Sequence, residues 1–362
     1  MLKAAYEFQT IGVPTSCERY GNGHINETYL LETPSNKYIL QKVNRNVFKD
    51  VPALMKNIAL VTRHLSRLEK DPRKVLTLVP AKDGRDYWVD EDGEYWRAYD
   101  FITGSVCLQK AGCADHMGES GVAFGRFQKM LSDFPAEALS ETIHRFHDTP
   151  NRYQQLRMAA ETDALGRLKE VRRELDFALA REDDAGRMVN MLREGELPLR
   201  VTHNDTKLNN VMLDEVTHTA LCVIDLDTVM PGLAGNDFGD TIRFGASTAA
   251  EDERDLEKVS LNIEYFRAYA EGFLGACGKS LTRAEIETLP LGAKLMTLEC
   301  GVRFLTDYLS GDTYFRVHRE GHNLDRCRTQ FKLVEDMEQK QLNMGAIIEA
   351  EAAAAIGAGP AV

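Results

Sequence analysis

Hydrophobic and polar residues alternate in short runs along the first hundred positions. Residues 29–31 and 38–40 are two such runs, joined by a turn rich in Pro, Ser and Asn, and this pattern predicts an antiparallel hairpin. Residues 51–69 instead carry Leu, Ile and Val at helical spacing behind Asp50, a good N-cap. Further strands are predicted at 75–80, 87–89 and 95–102. We therefore expect an antiparallel sheet with one packed helix.

Beyond residue 114 the hydrophobic spacing becomes mainly helical. Helices are predicted at 114–132, 161–181, 184–194, 238–244, 251–274, 283–288, 295–310 and 324–343, with a strand at 220–224. The predicted fold class is α+β and bilobal. Residues 1–102 would form a nucleotide-binding lobe, residues 103–351 a larger, mostly helical catalytic and substrate-binding lobe, and the Ala-rich residues 352–362 a flexible tail.

One polar segment interrupts the helical half. His203, Asp205 and Asn210 follow in the order H-x-D-x-x-x-x-N, and the apolar run 220–224 leads directly into Asp225. This is the arrangement of the catalytic loop and metal-binding strand in kinase-like phosphotransferases. Asp and Asn are also common in turns, but the ordered set of all four residues favours the catalytic interpretation.

Each residue type suits phosphoryl transfer, which depends on positioning and charge neutralisation. Asp205 would take the proton of the substrate hydroxyl, and Lys207 would steady the transferred phosphate. Asn210 and Asp225 offer oxygen ligands to Mg²⁺. Asp227 is either a second metal ligand or a supporting group.

The nucleotide is expected to meet the N-terminal sheet. Gly21 and Gly23 could let backbone N–H groups approach the ATP phosphates, or form an ordinary tight turn; the adjacent His24 is a substrate contact or a loop histidine. Gln41 ends the strand where kinases carry a lysine, although Lys42 follows on the opposite face.

A hinge is predicted where the sheet ends, with backbone groups of Asp100, Phe101 and Ile102 bonding adenine. A second acidic motif, Asp237-Phe238-Gly239, matches the metal motif of protein kinases but follows a loop. We assign the metal to Asp225 and expect Asp237 to cap a helix or brace the catalytic loop.

Three other polar positions carry alternatives. Arg303 lies on an otherwise apolar helix face, where it could bind a sugar hydroxyl or carbonyl, or pair with Glu299 or Asp307. His144 and His147 have the spacing of a metal pair, but the sequence shows no third ligand, so a capping or packing role is favoured.

Composition narrows the partners. A formal net charge of −12 argues against nucleic acid and anionic membranes as partners. Seven scattered cysteines without a C-x-x-C pair fit reduced thiols, and neither a signal peptide nor a membrane span is visible. We expect a cytoplasmic protein that binds ATP and a small molecule, without an obligate protein partner.

Several long stretches together resemble one group of enzymes, the N-acetylhexosamine 1-kinases of the aminoglycoside phosphotransferase family, which have a protein-kinase-like fold. They are GNGHINETYLL, YILQKVN, ETIHRFHDTP, LPLRVTHNDTKLNN, VIDLDTVMPG, DFGDTIRFGASTAAEDERDL and LECGVRFLTDYLSGD. The resemblance implies ATP- and Mg²⁺-dependent phosphorylation of the anomeric hydroxyl of N-acetylglucosamine or N-acetylgalactosamine. It implies the same roles for Asp205, Asn210 and Asp225, and sugar contacts from His24, Arg243, Arg303 and Tyr314.

Other functions remain compatible with the motifs. The same fold could phosphorylate choline, homoserine or an aminoglycoside. The absent strand lysine suggests a non-catalytic nucleotide-binding module as one alternative. A Mg²⁺-dependent hydrolase is another, and it would need neither the hinge nor the glycine loop.

Overall fold

The computed structural model describes residues 2–21, 23 and 25–357. The chain divides into two compact units. Unit 1 comprises Met1–Cys107, Asp133–His144 and Val211–Pro231, and unit 2 comprises Leu108–Ser132, Arg145–Asn210 and Gly232–Val362. In this division, residues 133–144 and 211–231 group with the N-terminal sheet, and the domain boundary at residue 102 stays a prediction.

The strands confirm the alternation seen in the sequence. They are β1 (Ser16–Arg19), β2 (Glu27–Glu32), β3 (Lys37–Lys42), β4 (Leu78–Val79), β5 (Trp88–Val89), β6 (Tyr95–Asp100), β7 (Ser105–Cys107), β8 (Arg200–Thr202), β9 (Val211–Asp214), β10 (Ala220–Val223) and β11 (Met230–Gly232). In unit 1 an antiparallel sheet has the order β1-β2-β3-β6-β4, with β5 beside β6, and a second sheet has the order β10-β9-β7. Leu31, Leu40 and Ala98 lie fully buried in the core of the first sheet.

Helix α1 (Val51–Leu68) contacts the two segments of unit 1 that come from later in the chain. The Asp50 side chain accepts a hydrogen bond from the Ala53 amide at 3.0 Å, so the predicted N-cap is confirmed. On the buried face, the Asn57 amide group donates to the carbonyls of Ser140 at 2.7 Å and Val229 at 3.0 Å. Since Asn57 is fully buried, these bonds fix both late segments onto the helix.

Unit 2 is helical. Its helices are α2 (Ala114–Met130), α3 (Thr149–Thr162), α4 (Arg172–Leu179), α5 (Glu182–Ala185), α6 (Arg187–Arg193), α7 (Ala234–Gly245), α8 (Ile263–Cys277), α9 (Arg283–Ser310), α10 (His322–Gln339) and α11 (Gln341–Gly357). Helix α9 contributes Leu298, Val302 and Leu305 to the core. The α+β class, with an antiparallel sheet and a mostly helical second part, is confirmed.

Several helix boundaries differ from the prediction. Helix α3 begins behind Asp148, which caps the Asn151 amide, and ends at Asp163 in the left-handed region (φ 39°), where the predicted helix 161–181 would already have begun. Helix α9 runs unbroken through Pro290. The first part of the predicted helix 251–274 is instead a loop that leads into α8.

The end of the chain is described as far as residue 357. Residues 352–357 continue α11, residues 358–362 lie outside the described part, and the flexibility of the tail stays a prediction. All seven cysteines are free thiols. Within residues 2–357 as described, the helices are too short or too polar to cross a membrane.

Candidate active site

The loop from His203 to Asn210 brings the predicted catalytic residue Asp205 into contact with Lys207, also predicted as catalytic, and with the predicted metal ligand Asn210. The Lys207 ammonium lies 2.9 Å from Asp205 Oδ1. The Asn210 amide nitrogen donates to Asp205 Oδ2 at 3.0 Å and to the Asp205 carbonyl at 2.8 Å. Burial opposes the charged form of Lys207, but the Asp205 carboxylate outweighs it and raises the pKa of Lys207. Asp205 is therefore a carboxylate flanked by a cation and an amide donor.

Asp237 accepts hydrogen bonds from the backbone of this loop, so it braces the loop, as the second of its two predicted roles proposed. It lies in the first turn of α7, and it is 1% exposed. Its Oδ2 accepts from the amide of His203 at 2.8 Å, and its Oδ1 accepts from the amide of Asn204 at 2.8 Å. Gln128 donates to the same carboxylate at 3.0 Å. Burial raises the pKa of Asp237 while these donors favour its ionised form, so this Asp braces the loop and does not cap the helix.

A second buried acid, Asp240, holds the loop one turn further along α7. It accepts from the Thr206 amide at 3.0 Å and from the Arg243 guanidinium at 3.0 Å. Arg243 also donates to Glu251 at 2.9 Å, and only a tenth of its side chain is exposed. These contacts give Arg243 a bracing role behind the loop and oppose the predicted sugar contact.

His147 contacts the other side of the same loop. Its Nδ1 lies 3.0 Å from Glu299 on α9, and its Nε2 lies 3.5 Å from the Asn204 carbonyl. Thr149 donates to the second Glu299 oxygen at 2.7 Å. Burial opposes protonation of His147, but Glu299 raises the pKa of His147 above its usual value. The predicted packing role of His147 is confirmed, with Glu299 as its partner.

Arg303 and Tyr314, both predicted sugar contacts, lie together. Arg303 Nη2 donates to the Tyr314 hydroxyl at 3.4 Å. The guanidinium carbon lies 5.7 Å, 5.8 Å and 5.4 Å from the ring centres of Phe146, Tyr314 and Phe315. Asp307, one of its predicted ion-pair partners, instead accepts from the backbone amides that follow α9. Tyr314 is 70% exposed, so the cluster is open to a ligand.

In unit 1, Asp225 follows β10 as predicted for a metal ligand. Its backbone is in the left-handed region (φ 61°, ψ 57°), and its side chain is exposed. A non-glycine residue held in this region is costly and is found most often at functional sites. The residue two positions later, Asp227, is 4% exposed. One of its carboxylate oxygens pairs with Arg97 and the other accepts from Asn26 at 2.5 Å, which opposes a role as second metal ligand.

The pairing of β3 with β6 shows where Gln41 and Lys42 lie, the two residues near the strand end where kinases carry a lysine. Gln41 lies opposite Arg97 of β6 and accepts from Arg97 Nε at 2.9 Å, while its own amide donates to Thr28 at 3.0 Å. Lys42 points elsewhere, 3.8 Å from Glu94. Gln41 therefore contacts a buried arginine, and its predicted role in binding nucleotide remains a prediction.

The other predicted nucleotide contacts are partly constrained. Gly21 has φ +73°, which favours glycine, and a Cβ at Gly21 or Gly23 would meet open space. The amides of Asp100 and Phe101 donate to the carbonyls of Thr77 and Lys37, so these two donors are already engaged, and adenine binding by this segment stays a prediction. His24 lies outside the described residues.

The donor atoms fit a magnesium ion of the kinase type. Because the Asn210 amide nitrogen faces Asp205, its amide oxygen is the atom suited to a cation, and Asp225 offers an exposed carboxylate. Within the described part of the chain, no three His, Cys, Asp or Glu side chains are grouped as a metal site. Mg²⁺ usually takes only one or two protein ligands together with phosphate oxygens and water, so its binding does not require such a group.

The sequence did not reveal the role of four residues. Arg97, Asn26, Asp240 and Glu299 all contact predicted site residues or their neighbours. For Arg97 the sequence did contain a signal, namely a charged residue among the hydrophobic residues of β6. A buried cation is rarely unpaired, so an acidic partner could have been predicted.

Comparison with known proteins gives one family and several similar folds. The model of the phosphotransferase enzyme family, APH, matches residues 16–274. A microcompartment-associated aminopropanol kinase is 16% identical, with TM-score 0.57 over 95% of this chain and 97% of that one. An aminoglycoside phosphotransferase from Alicyclobacillus acidocaldarius is 12% identical, with TM-score 0.61 over 92% of each chain. A GDP complex of aminoglycoside 2'-phosphotransferase-IIIa is 15% identical, with TM-score 0.55 over 91% and 94%.

Proposed function

The chain belongs to the APH family of phosphotransferase enzymes, and from this premise we propose that it is a kinase that phosphorylates the anomeric hydroxyl of N-acetylhexosamines with ATP and Mg²⁺. Small-molecule phosphotransfer follows from the family. The sugar acceptor rests on the Arg303 cluster and on the resemblance of the long motifs.

The observation that carries the reaction is the contact set around Asp205. Its carboxylate accepts the proton of the attacking hydroxyl, which must leave as the oxygen attacks the γ-phosphate. Asn210 holds the carboxylate in one orientation through its 3.0 Å bond. Lys207, 2.9 Å away, provides a positive charge for the phosphoryl oxygens. An anomeric hydroxyl is more acidic than other sugar hydroxyls, so a carboxylate is a sufficient base.

From the sequence pattern, we propose the Asn210 amide oxygen and the Asp225 carboxylate as magnesium ligands. When bound, the ion neutralises charge on the phosphate oxygens. Asp225 is exposed and has a left-handed backbone, whereas its neighbour Asp227 is buried and paired with Arg97. Asp225 can therefore serve the ion while Asp227 serves the fold.

The charge of Arg303 bears on the acceptor. An aromatic cluster such as Phe146, Tyr314 and Phe315 would suit a cationic amine, but here a guanidinium already lies over the three rings. A second cation, as in choline, aminopropanol or an aminoglycoside, would be repelled. A neutral sugar instead offers hydroxyl and carbonyl acceptors to the guanidinium and C–H groups to the rings. This favours N-acetylhexosamine over amine acceptors.

A panel of acceptors tests the assignment. The purified protein is incubated with MgATP and N-acetylglucosamine, N-acetylgalactosamine, glucose, homoserine, choline or an aminoglycoside. We expect turnover of one or both N-acetylhexosamines, with a product whose phosphorus resonance is split by the anomeric proton. Turnover of another acceptor, with neither N-acetylhexosamine phosphorylated, would overturn the substrate assignment and retain the kinase.

A further inference from the structure

Asp227, whose two carboxylate oxygens pair with Arg97 and Asn26, is the centre of a polar network in unit 1. Asp227 is 4% exposed, and Arg97 is 1% exposed. Arg97 Nη1 donates to Asp227 Oδ1, and Asn26 Nδ2 donates to Asp227 Oδ2 at 2.5 Å. Burial opposes the charge of Arg97, but Asp227 outweighs it and raises the pKa of Arg97. A pair buried this deeply has a well-defined geometry, because either charge alone would be strongly destabilising.

The network reaches into the sheet on one side. Arg97 on β6 donates through Nε to Gln41 on β3 at 2.9 Å. Gln41 donates in turn to Thr28 on β2 at 3.0 Å. Three adjacent strands are thereby joined to the segment that follows β10 through a single guanidinium. Asp225, two residues before Asp227, also interacts electrostatically with Arg97.

On the other side the network reaches the segment that joins the glycines to β2. Asn26 accepts through Oδ1 from the Asn44 amide at 3.0 Å, and the Asn44 side chain donates to the Ile25 carbonyl at 3.1 Å. Ile25 and Asn26 are the residues just before β2. Asp227 therefore holds the base of the glycine segment and the metal-binding segment in one arrangement.

Arg97 cannot act on a phosphate itself. Its side chain is almost completely inaccessible, and its Nη1 and Nε donate to Asp227 and Gln41. A lysine at the end of β3 would contact phosphate directly in a protein kinase. Here the strand carries Gln41, and the nearby buried charge belongs to β6. Any contribution of Arg97 to the reaction must pass through the residues that it holds.

We propose that Arg97 is a positioning residue that, through Asp227, fixes the Asp225 carboxylate and the base of the glycine segment for MgATP. This inference rests on the proposed function. In protein kinases a strand lysine helps to position the nucleotide phosphates. Here the buried Arg97–Asp227 pair would contribute to positioning from inside the unit. Residues that orient metal ligands from behind typically change metal affinity or activity about 10–100-fold when they are replaced.

Arg97→Lys tests the proposal, because lysine keeps the charge but cannot bond Asp227 and Gln41 in the same fork geometry. We expect the KM for MgATP and the Mg²⁺ concentration for half-maximal activity to rise about tenfold or more, with an acceptor KM within about twofold of the parent. A second measurement does not need turnover. Titration calorimetry of ADP with and without Mg²⁺ should show a smaller gain in affinity from Mg²⁺ in the variant.

Arg181→Lys is the matched control. Arg181 forms a two-pronged ion pair with Glu338 in unit 2, at 3.0 Å and 2.7 Å, so the same substitution disturbs a similar pair outside the network. We expect its Mg²⁺ dependence and ADP binding to match those of the parent. Circular dichroism and melting temperature establish that each variant is folded.

Several outcomes would overturn the inference. One is a folded Arg97→Lys protein whose Mg²⁺ dependence and Mg²⁺-enhanced ADP binding equal those of the parent. If Arg97→Lys does not fold, Asn26→Ala, which removes the second partner of Asp227, should give a smaller shift in the same direction, and no shift contradicts the proposal. A parent without kinase activity would refute the proposed function, whereas a parent that binds ADP equally with and without Mg²⁺ would refute this inference.

Discussion

At the scale of single residues, the catalytic loop depends on acids that do not take part in the chemistry. Asp237 accepts from two consecutive backbone amides of the loop and from Gln128. Asn204, one of the two residues held in this way, has a positive φ of 63°. The bonds to Asp237 therefore compensate a backbone conformation that the loop would otherwise avoid. The sequence suggested this role as one alternative, but it could not show which amides are bound.

Asp237→Asn should lower both stability and turnover. An amide replaces one acceptor oxygen with a donor, which then faces a backbone N–H or the Gln128 amide. The loss of bonds to a buried carboxylate is worth about 3 kcal/mol in the free energy of unfolding. Urea unfolding and kcat measure the two effects. Asp92→Asn, in an exposed turn, is the control and should change neither; equal stability of Asp237→Asn and the parent would contradict the bracing role.

His147 and Glu299 give the molecule a pH-dependent contact beside the same loop. The raised pKa of His147, with Asp240 and Arg303 as its other charged neighbours, means that its contribution to stability is complete below the usual value of 6.5 and is lost as pH rises through the raised value. Glu299 has a lowered pKa, since His147 outweighs the effect of burial, so its contribution is lost only as pH falls below 4.5.

We therefore expect His147→Gln to destabilise the protein more at about pH 6 than at about pH 9. Urea unfolding of parent and variant at both pH values gives the two differences in unfolding free energy. His144→Gln is the control, because His144 pairs with Glu141 on the surface, with 82% of its side chain exposed. A His147→Gln difference that is constant over this range would show that the pair is not charged in the folded protein.

At the scale of elements, close helix packing depends on glycines. A Cβ at Gly272 of α8 would lie 2.2 Å from the Gly118 carbonyl oxygen of α2, and a Cβ at Gly121 would lie 2.4 Å from the Tyr269 carbonyl. These separations are shorter than any van der Waals contact, so the two backbones touch only because both positions lack side chains. Gly275, on the same helix, would meet nothing within 4 Å.

Gly272→Ala should destabilise the protein by about 1–3 kcal/mol, since the helices must separate. Gly275→Ala should instead stabilise it by about 0.5–1 kcal/mol, because alanine favours an exposed helix interior. The melting temperatures of the two variants give the comparison. A Gly272→Ala variant that melts at or above the temperature of the parent would contradict the packing of α2 against α8, and a lower melting temperature for Gly275→Ala would contradict the expectation for that exposed position.

The elements also show where sequence reasoning works and where it stops. Local signals placed the β2–β3 hairpin and the capped α1 correctly. The sequence predicts two separate helices at 283–288 and 295–310, but α9 runs unbroken through Pro290. Nearby Gly292 packs tightly on α7, with a Cβ there only 2.2 Å from the Gly235 carbonyl. Tertiary packing of this kind overrides a local preference and has no local signal.

At the scale of the whole molecule, the predicted fold class is confirmed, but the division of the chain is not contiguous. Asn57 in α1 binds the carbonyls of Ser140 and Val229, which lie far away in the sequence. Neither partner could be identified from a local pattern. Asp205, Asn210 and Asp225, in contrast, could be identified from the sequence, because these residue types follow one another in a characteristic order in kinase-like enzymes. With a net charge of −12, the protein as a whole does not attract phosphate, so the proposed kinase would depend on local groups such as Lys207 and on Mg²⁺.

The most direct test of the account is the turnover number of Asp205→Asn with MgATP and the preferred N-acetylhexosamine. Asparagine keeps the shape of the side chain but cannot accept the hydroxyl proton. We predict a folded protein that binds MgATP within about threefold of the parent and loses about 10³-fold in kcat, as expected when a general base is removed. A folded variant that keeps kcat within about tenfold of the parent would contradict Asp205 as the base.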